Sequence, residues 1–173
     1  MKSLFFLQSP AVNMFVDAMA TKAMIPRKIL IVEESFDPLW LQSDYEAHSM
    51  MNKTDYGATA NFIGTMRDFN EGNDVASMTL EHYPAMTKNH LNEIVDQACD
   101  KWPIQNTLIV HRVGEIFPAE SIVLVAVWSV HRNAAFDGCR YIMEALKHQA
   151  PFWKKETLTA GDTRWVAENT KGE

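Results

Sequence analysis

The residues best suited to chemistry in this chain are cations gathered in one segment near the carboxyl-terminal end. Residues 132–156 contain five Lys and Arg against three Asp and Glu, a local charge of +2, although the whole chain has a formal net charge of −6. The rest of the chain therefore carries −8. Such a local excess indicates a site for a small anion rather than a nucleic-acid surface. The alternative is a solvated helix face on which Glu144 and His148 pair at i,i+4.

Two short motifs in or beside this segment favour a site. His131-Arg132 stands between a predicted buried strand and a predicted helix, where backbone N–H groups and an arginine fork can bind an anion together. The sequence Pro151-Phe152-Trp153-Lys154-Lys155 then places aromatic residues beside two lysines, just after a predicted helix stop. A lysine in an apolar wall can act as an acid, a base or a nucleophile near neutral pH.

Three other cationic positions are weaker candidates. Lys147 lies one turn after Met143, so its stem can follow the apolar helix face while its ammonium reaches the helix end; the alternative is ordinary snorkelling into solvent. Arg67 ends a predicted strand, where an arginine is commonly solvated. His111-Arg112 lies in the middle of a predicted strand, which indicates a structural role.

The remaining reactive residue types match no common enzyme motif. The six histidines lack metal-ligand spacing, so no metal site is predicted. Cys99 and Cys139 each fall within a predicted helix without a base nearby in sequence, which predicts core thiols. The chain has no Walker loop, no GxGxxG and no GxSxG sequence.

Periodicity and turn residues predict the elements that position these side chains. Helices are predicted after the Asp37-Pro38 cap, from Pro84 to near Pro103, and from a cap at Asn133 to near Pro151. Because helices and strands interleave without regular βαβ alternation, the predicted fold class is α+β. Strands are predicted at 28–32, 56–66, 75–83, 107–113 and 121–130, with turns at 68–74 and 114–120 and one or two further strands within 154–166.

Length and composition are typical of one globular domain. The chain has 173 residues, of which 47% are hydrophobic, and this is too apolar for a disordered chain. The apolar run at 122–128 is far shorter than the roughly 20 residues of a membrane-spanning helix, so no transmembrane span is predicted. Two cysteines without CxxC spacing argue against a disulfide-scaffolded secreted domain. The cytoplasm is the predicted compartment.

Residues 1–27 are predicted to lie outside the domain, which would span 28–173. A lysine, a short apolar run and a small-residue triplet imitate a signal peptide there, but a proline and polar residues interrupt the pattern. The preferred interpretation is a poorly ordered or misannotated extension, with Met24 as the more natural start.

In chain order, a series of motifs resembles the large, catalytic subunit of molybdopterin synthase. The resemblance runs from about Lys28 to Val166 and keeps the family's order and spacing. The motifs are Gly57-Ala58, FIGTMR at 62–67, LEHYPAM at 80–86, IVHRVGE at 109–115, HRNAAF at 131–136, LK at 146–147 and APFWKKE at 150–156.

The resemblance implies an α/β-hammerhead fold of the α+β class, with a mixed or antiparallel sheet and two to three packed helices. It also implies a homodimer of this chain with one small ubiquitin-like sulfur carrier docked on each copy, hence a heterotetramer. The carrier's C-terminal thiocarboxylate would donate sulfur to cyclic pyranopterin monophosphate, and two transfers would form the dithiolene of molybdopterin. No cofactor is implied, because sulfur comes from the partner. The resemblance implies no nucleic-acid or membrane partner either.

The resemblance also assigns residues. Lys147 and Lys154 match the family's catalytic lysines. The types fit the reaction, because arginine binds phosphate through a bidentate fork and fixed cations stabilise charge on phosphate and enolate-like oxygens. The matches to the anionic-substrate pocket are Arg67, His131 and Arg132, and the adjoining substrate-contact segments contain Thr65, Met66, Lys155 and Glu156.

Two other functions fit the same residues. One is a non-catalytic module that binds a pterin or nucleotide phosphate, and the other is an assembly subunit whose basic patch accepts an acidic partner. The presence of both Lys147 and Lys154 favours the enzyme, because arginine and backbone amides suffice to anchor a phosphate.

Overall fold

The computed structural model describes residues 25–50 and 54–166. Nearly all of the expected extension, 1–27, lies outside these residues, so its boundary stays a prediction. The elements are β1 (Arg27–Val32), α1 (Pro38–His48), β2 (Ala58–Thr65), β3 (Phe69–Asn70), β4 (Asn73–His82), α2 (Pro84–Lys101), β5 (Ile104–Arg112), β6 (Gly114–Ile116), β7 (Ser121–Ser129), α3 (Arg132–Gln149), β8 (Phe152–Leu158) and β9 (Thr163–Val166).

The first sheet is mixed and has the strand order β1-β5-β7-β2. β1 runs parallel to β5, while β5 pairs with β7 and β7 with β2 in antiparallel register. Alternate residues of β5 and β7 pack against opposite layers: Ile109 and Val125 belong to one buried cluster, Val110 and Leu124 to another. This burial on both faces explains why the two strands read as continuous apolar runs.

Helices cover the two faces of this sheet. α2 and α3 contribute to the cluster on one face, and Tyr45 of α1 packs against Trp128 on the other. Gly138 lets α3 approach closely, because a Cβ there would lie 2.9 Å from the Ile104 side chain. The predicted cap at Asn133 is wrong by two residues: α3 begins at Arg132, with His131 as an N-cap that makes no side-chain cap hydrogen bond.

The second sheet has the order β3-β4-β8-β9, with β6 also paired to β4. Glu71 and Gly72 connect β3 to β4 with φ values of 50° and 75°, as a two-residue hairpin turn of type I′ requires. The expected turn at 114–120 contains the three-residue strand β6, which was too short to show in the sequence pattern. Together the three helices and two sheets confirm the α+β class.

The N-cap of α1 gives a direct test of the local sequence signal. Asp37 Oδ1 accepts hydrogen bonds from the backbone N–H of Leu39 at 2.9 Å and of Trp40 at 3.0 Å. Asp37→Ala should lower the free energy of unfolding by about 1 kcal/mol, measured by urea denaturation, because two helix N–H groups lose their acceptor. Asp37→Asn should be close to the parent, and equal losses from both variants would contradict the capping role.

Candidate active site

A cleft of about 400 Å³ opens where the two sheets meet the carboxyl-terminal end of α3. The end of β2, the inner faces of β4 and β8 and the last turn of α3 supply its walls. The walls are largely apolar, with Phe62, Val75, Met78, Leu80, Met143 and Phe152 among them. A cleft that combines apolar walls with a few polar groups is the usual form of a small-molecule site.

Six of the nine predicted site residues line this cleft. They supply three cations, and among the described lining residues Glu156 is the only carboxylate. Its charge is already matched by Lys154 and by Arg164 outside the cleft. The cleft therefore favours an anionic ligand although the whole chain is acidic. The six are Thr65, Met66, Arg67, Lys147, Lys154 and Glu156.

Lys147 reaches the cleft because of its place on α3. The neighbouring residues Met143 and Leu146 are buried against the first sheet, and Lys147 follows them in the last helical turn. A cation in that turn is stabilised by the partial negative charge at the helix carboxyl terminus. Lys147 thus lies in the last turn and lines the cleft, while the expected course of its stem along the apolar face stays a prediction.

Strand alternation decides which of the two adjacent lysines enters the cleft. Lys154 and Glu156 lie on the inner face of β8, whereas Lys155 points to the outer face. There the Lys155 ammonium lies 5.8 Å from the centre of the Trp165 ring. The structure therefore brings Lys154 into the candidate site and leaves Lys155 outside it.

The end of β2 is shaped by a register shift between Gly64 and Thr65. Met66 is then held from both sides, since its N–H donates to the Glu120 carbonyl at 2.9 Å and its own carbonyl accepts from the Ala119 N–H at 2.9 Å. Met66 is buried, whereas Thr65 and Arg67 are exposed at the cleft rim. The Arg67 guanidinium lies 4.9 Å from the centre of the Phe69 ring, within the range of a cation–π contact.

Glu156 is buried and fully engaged by its neighbours. Its Oε1 accepts hydrogen bonds from Asn70 Nδ2 at 2.8 Å and from Lys154 Nζ at 3.1 Å. Its Oε2 accepts from Arg164 Nε and Nη2, both at 3.0 Å. Burial acts to raise the pKa of this carboxyl, but the hydrogen bonds from Lys154 and Arg164, the Lys154 charge and the Asn70 bond together hold the pKa below 4.5.

His111 lines the cleft and was not among the predicted site residues. Its ring stacks on Phe152 with the ring centres 3.9 Å apart and the planes 9° from parallel. Burial lowers its pKa to about 4, opposed by the hydrogen bond to the Arg112 carbonyl and assisted by the charge of His82. His111 is therefore neutral at neutral pH, with Nδ1 as the donor to that carbonyl at 2.8 Å. His111 lies two residues after the buried Ile109 and therefore on the same face of β5, and this spacing was the signal in the sequence for its inward position.

His131 and Arg132 are not among the residues that line the cleft. They lie exposed at the start of α3, whereas Lys147 is in its last turn. At 1.5 Å per helical residue, the α-carbons of Arg132 and Lys147 are about 22 Å apart along the helix axis. Within one copy of the chain, the structure does not bring the predicted anion-binding pair to the two lysines.

The remaining reactive side chains agree with structural roles. Cys139 is buried, and burial raises the pKa of its thiol to about 11, as expected for a core thiol. Cys99 is half-buried on α2 and packs against the same cluster. In the described residues, no three His, Cys, Asp or Glu side chains cluster as metal ligands would. None of the described helices is long and apolar enough to cross a bilayer.

Comparison with known proteins places this arrangement in a family. A family profile described as MoaE protein matches residues 36–149. The chain belongs to the MoaE family. This confirms the resemblance that the sequence motifs indicated.

Curated relatives with similar sequences include two proteins named molybdopterin synthase catalytic subunit. The Ralstonia nicotianae protein is 54% identical over 110 residues, which is 64% of this chain and 62% of the relative. The Vibrio cholerae protein is 43% identical over 139 residues, 80% of this chain and 89% of the relative. The matched region thus spans somewhat less than two thirds of the Ralstonia protein and most of the Vibrio protein.

Solved structures agree with the MoaE fold. Molybdopterin synthase from Staphylococcus aureus superposes with a TM-score of 0.70 at 30% identity, covering 80% of this chain and 96% of that one. A chain of the same fold occurs in the Helicobacter pylori protein-protein complex of subunits 1 and 2 of molybdopterin-converting factor. It superposes with a TM-score of 0.67 at 21% identity, covering 82% of this chain and 92% of that one.

The charge of Glu156 should be measurable in the stability of the protein. Because its folded-state pKa lies below the unfolded value of 4.5, its contribution is present above pH 4.5 and is lost as the pH falls through the folded value. At neutral pH, Glu156→Gln should lower the free energy of unfolding by about 1–3 kcal/mol, because the charged acceptor of Lys154 and Arg164 is removed. The difference from the parent should shrink below pH 4.5 in urea titrations. A difference that is independent of pH would show that the lost bonds do not depend on the charge.

Proposed function

We propose that this chain is the catalytic subunit of a molybdopterin synthase and that the cleft is its sulfur-transfer site. The observation that carries the proposal is the convergence of Arg67, Lys147 and Lys154 on one apolar cleft whose lining carboxylate, Glu156, is already neutralised. The relatives named molybdopterin synthase catalytic subunit support the reaction class. The enzyme is a sulfurtransferase of molybdenum cofactor biosynthesis.

Both reactants fit this charge distribution. Cyclic pyranopterin monophosphate carries a phosphate, and the carrier's C-terminal thiocarboxylate is also an anion. At each transfer a bond forms between the thiocarboxylate sulfur and a substrate carbon while that carbon's bond to oxygen breaks, so the oxygen leaves either on the opened phosphate ester or, after protonation, as water. Water then hydrolyses the acyl–sulfur bond, so the sulfur stays on the substrate and the carrier leaves as a carboxylate. Cations fixed in a dry cleft stabilise the charge that develops on phosphate and enolate-like oxygens.

The residues divide the work according to position. Arg67 holds the phosphate at the cleft rim, beside Thr65 and Met66. Lys147 lies near the thiocarboxylate and transfers protons or stabilises the intermediate, and Lys154 is its partner. Glu156 holds the Lys154 ammonium through its Oε1 atom, 3.1 Å away.

A second copy of the chain supplies His131 and Arg132. These residues lie about one helix length from Lys147 in their own copy, so they can complete a cleft only by reaching that of another molecule. A homodimer with two composite sites satisfies this requirement, because a two-fold interface presents the same residues in both directions. Lys155, on the outer face of β8, would contact the carrier or the second copy rather than a ligand inside the cleft.

The partner is a small ubiquitin-like sulfur-carrier subunit, which makes the assembly a heterotetramer. The H. pylori complex of subunits 1 and 2 has a chain of the same fold, which is consistent with this composition. We place the assembly in the cytoplasm; the buried Cys139 thiol fits a reducing compartment.

Lys147→Ala should lose about 10²- to 10⁴-fold in turnover, because the site loses a proton-transfer group. The assay is a single turnover with thiocarboxylated carrier and cyclic pyranopterin monophosphate, followed by detection of molybdopterin. Carrier binding should be retained, and Lys88→Ala, an exposed change on α2, serves as the matched control.

Near-normal turnover of Lys147→Ala would remove this lysine from the mechanism. Absence of product from the unmodified chain, despite demonstrated carrier binding and a folded dimer, would favour a non-catalytic pterin-binding module instead.

Composite sites predict complementation between two inactive variants. Arg132→Ala and Lys147→Ala homodimers, mixed and allowed to exchange subunits, should recover about a quarter of the unmodified turnover, because half the dimers are mixed and each holds one intact site. No recovery, with exchange demonstrated by mass spectrometry of differently tagged copies, would place both residues in one copy's site or remove Arg132 from it.

A further inference from the structure

Arg164 links three strands of the second sheet through one guanidinium. It lies on β9 directly opposite Glu156 of β8. Its Nε and Nη2 donate to Glu156 Oε2, both at 3.0 Å, and Nη2 also donates to the Asn70 carbonyl on β3 at 3.1 Å. Its Nη1 forms a separate ion pair with the exposed Glu71, at 3.3 Å.

These bonds decide how Glu156 meets Lys154. Because Arg164 occupies Oε2, the other oxygen, Oε1, is the one that faces Lys154 Nζ and Asn70 Nδ2. The Glu156 side chain is only 4% exposed, so water cannot replace these bonds as it can at a surface ion pair. The direction of the Lys154 ammonium thus depends on a residue that does not line the cleft.

Charge balance leads to the same conclusion. In the buried part of this network one carboxylate, Glu156, faces two cations, Lys154 and Arg164, so one positive charge is left over there; the second carboxylate on Arg164, Glu71, is 65% exposed and its charge is weakened by solvent. Loss of Arg164 would leave Glu156 Oε2 without the bonds described above, so both carboxylate oxygens would be available to Lys154. The group would become neutral, and the ammonium would turn away from an anionic ligand.

We propose that Arg164 is a positioning residue of the sulfur-transfer site, which fixes Glu156 so that Lys154 stays directed into the cleft with its charge available. The same guanidinium ties the β3 end of the β3–β4 hairpin to this carboxylate, close to Phe69, which supports Arg67. This inference rests on the proposed function of Lys154.

The surroundings of Glu156 set the expected pH dependence. The nearest charged groups are Lys154 on its own strand and Arg164 on β9, with Glu71 beyond Arg164. Lys147 from α3 lines the same cleft. The residue paired with Glu156 on β4, Met78, is apolar. Loss of the Arg164 bonds removes interactions that favour the ionised carboxylate, so Glu156 would take up a proton at a higher pH. When the turnover rate is plotted against pH, the acidic limb, where the rate falls with falling pH, should then move to higher pH.

The test is the single-turnover rate of the full chain with thiocarboxylated carrier and cyclic pyranopterin monophosphate, measured from mildly acidic to neutral pH. Arg164→Ala should lower the rate at neutral pH by about tenfold or more, because a misdirected catalytic group is costly, and should shift the acidic limb upward. Arg164→Lys keeps the charge and should recover part of the limb shift. Glu71→Gln removes the exposed ion pair of the same arginine and should stay within about twofold of the parent.

The outcomes separate this inference from the proposed function. A parental rate and pH profile in Arg164→Ala, with Lys154→Ala inactive, would overturn the positioning role and leave the proposed function intact. Parental turnover in Lys154→Ala would overturn the assignment of the site itself. If Arg164→Ala fails to fold, the test uses Arg164→Lys, provided that its unfolding midpoint equals that of the parent. A lowered rate with a shifted acidic limb in this variant supports the inference. A parental rate and pH profile contradicts it.

Discussion

The burial of β5 and β7 on both faces is the constraint from which the rest of the molecule follows. Two adjacent strands with continuous apolar runs need a covering layer on each side, so α1 packs on one face and α2 with α3 on the other. Because α3 leaves β7 after a short connection and runs back along the sheet, its last turn arrives where the second sheet begins. The cleft exists because that junction leaves a gap that neither sheet fills.

The candidate site has three cations, Arg67, Lys147 and Lys154, at separate points around this cleft. Lys147 lies in the last turn of α3, the Arg67 guanidinium lies 4.9 Å from the centre of the Phe69 ring, and Lys154 pairs with Glu156, so each cation has a different environment. The three cations come from separate elements rather than from one loop. A site built in this way needs little reorganisation when an anion enters.

Local sequence signals were sufficient for most elements, since Asp37-Pro38, the β-branched runs and the prolines after α2 and α3 act within a few residues. The start of α3 was placed two residues late because Asn133 is a good cap by type, whereas the strand end already positions His131. Motif resemblance predicted Lys147 and Lys154 as site residues, and both line the cleft. The predicted helix already placed Arg132 and Lys147 near its opposite ends. The motifs could not show that Arg164 reaches Glu156, because that contact depends on the pairing of two strands.

The length of α3 restricts where residues can be inserted into or deleted from this chain. One end of the helix carries Arg132 and the other Lys147, so an inserted or deleted residue would rotate one end by about 100° relative to the other and shift it by 1.5 Å. The helix therefore fixes the distance between these two proposed site residues. Changes in chain length are therefore better tolerated in the exposed turn at 159–162 between β8 and β9, where no residue lines the cleft.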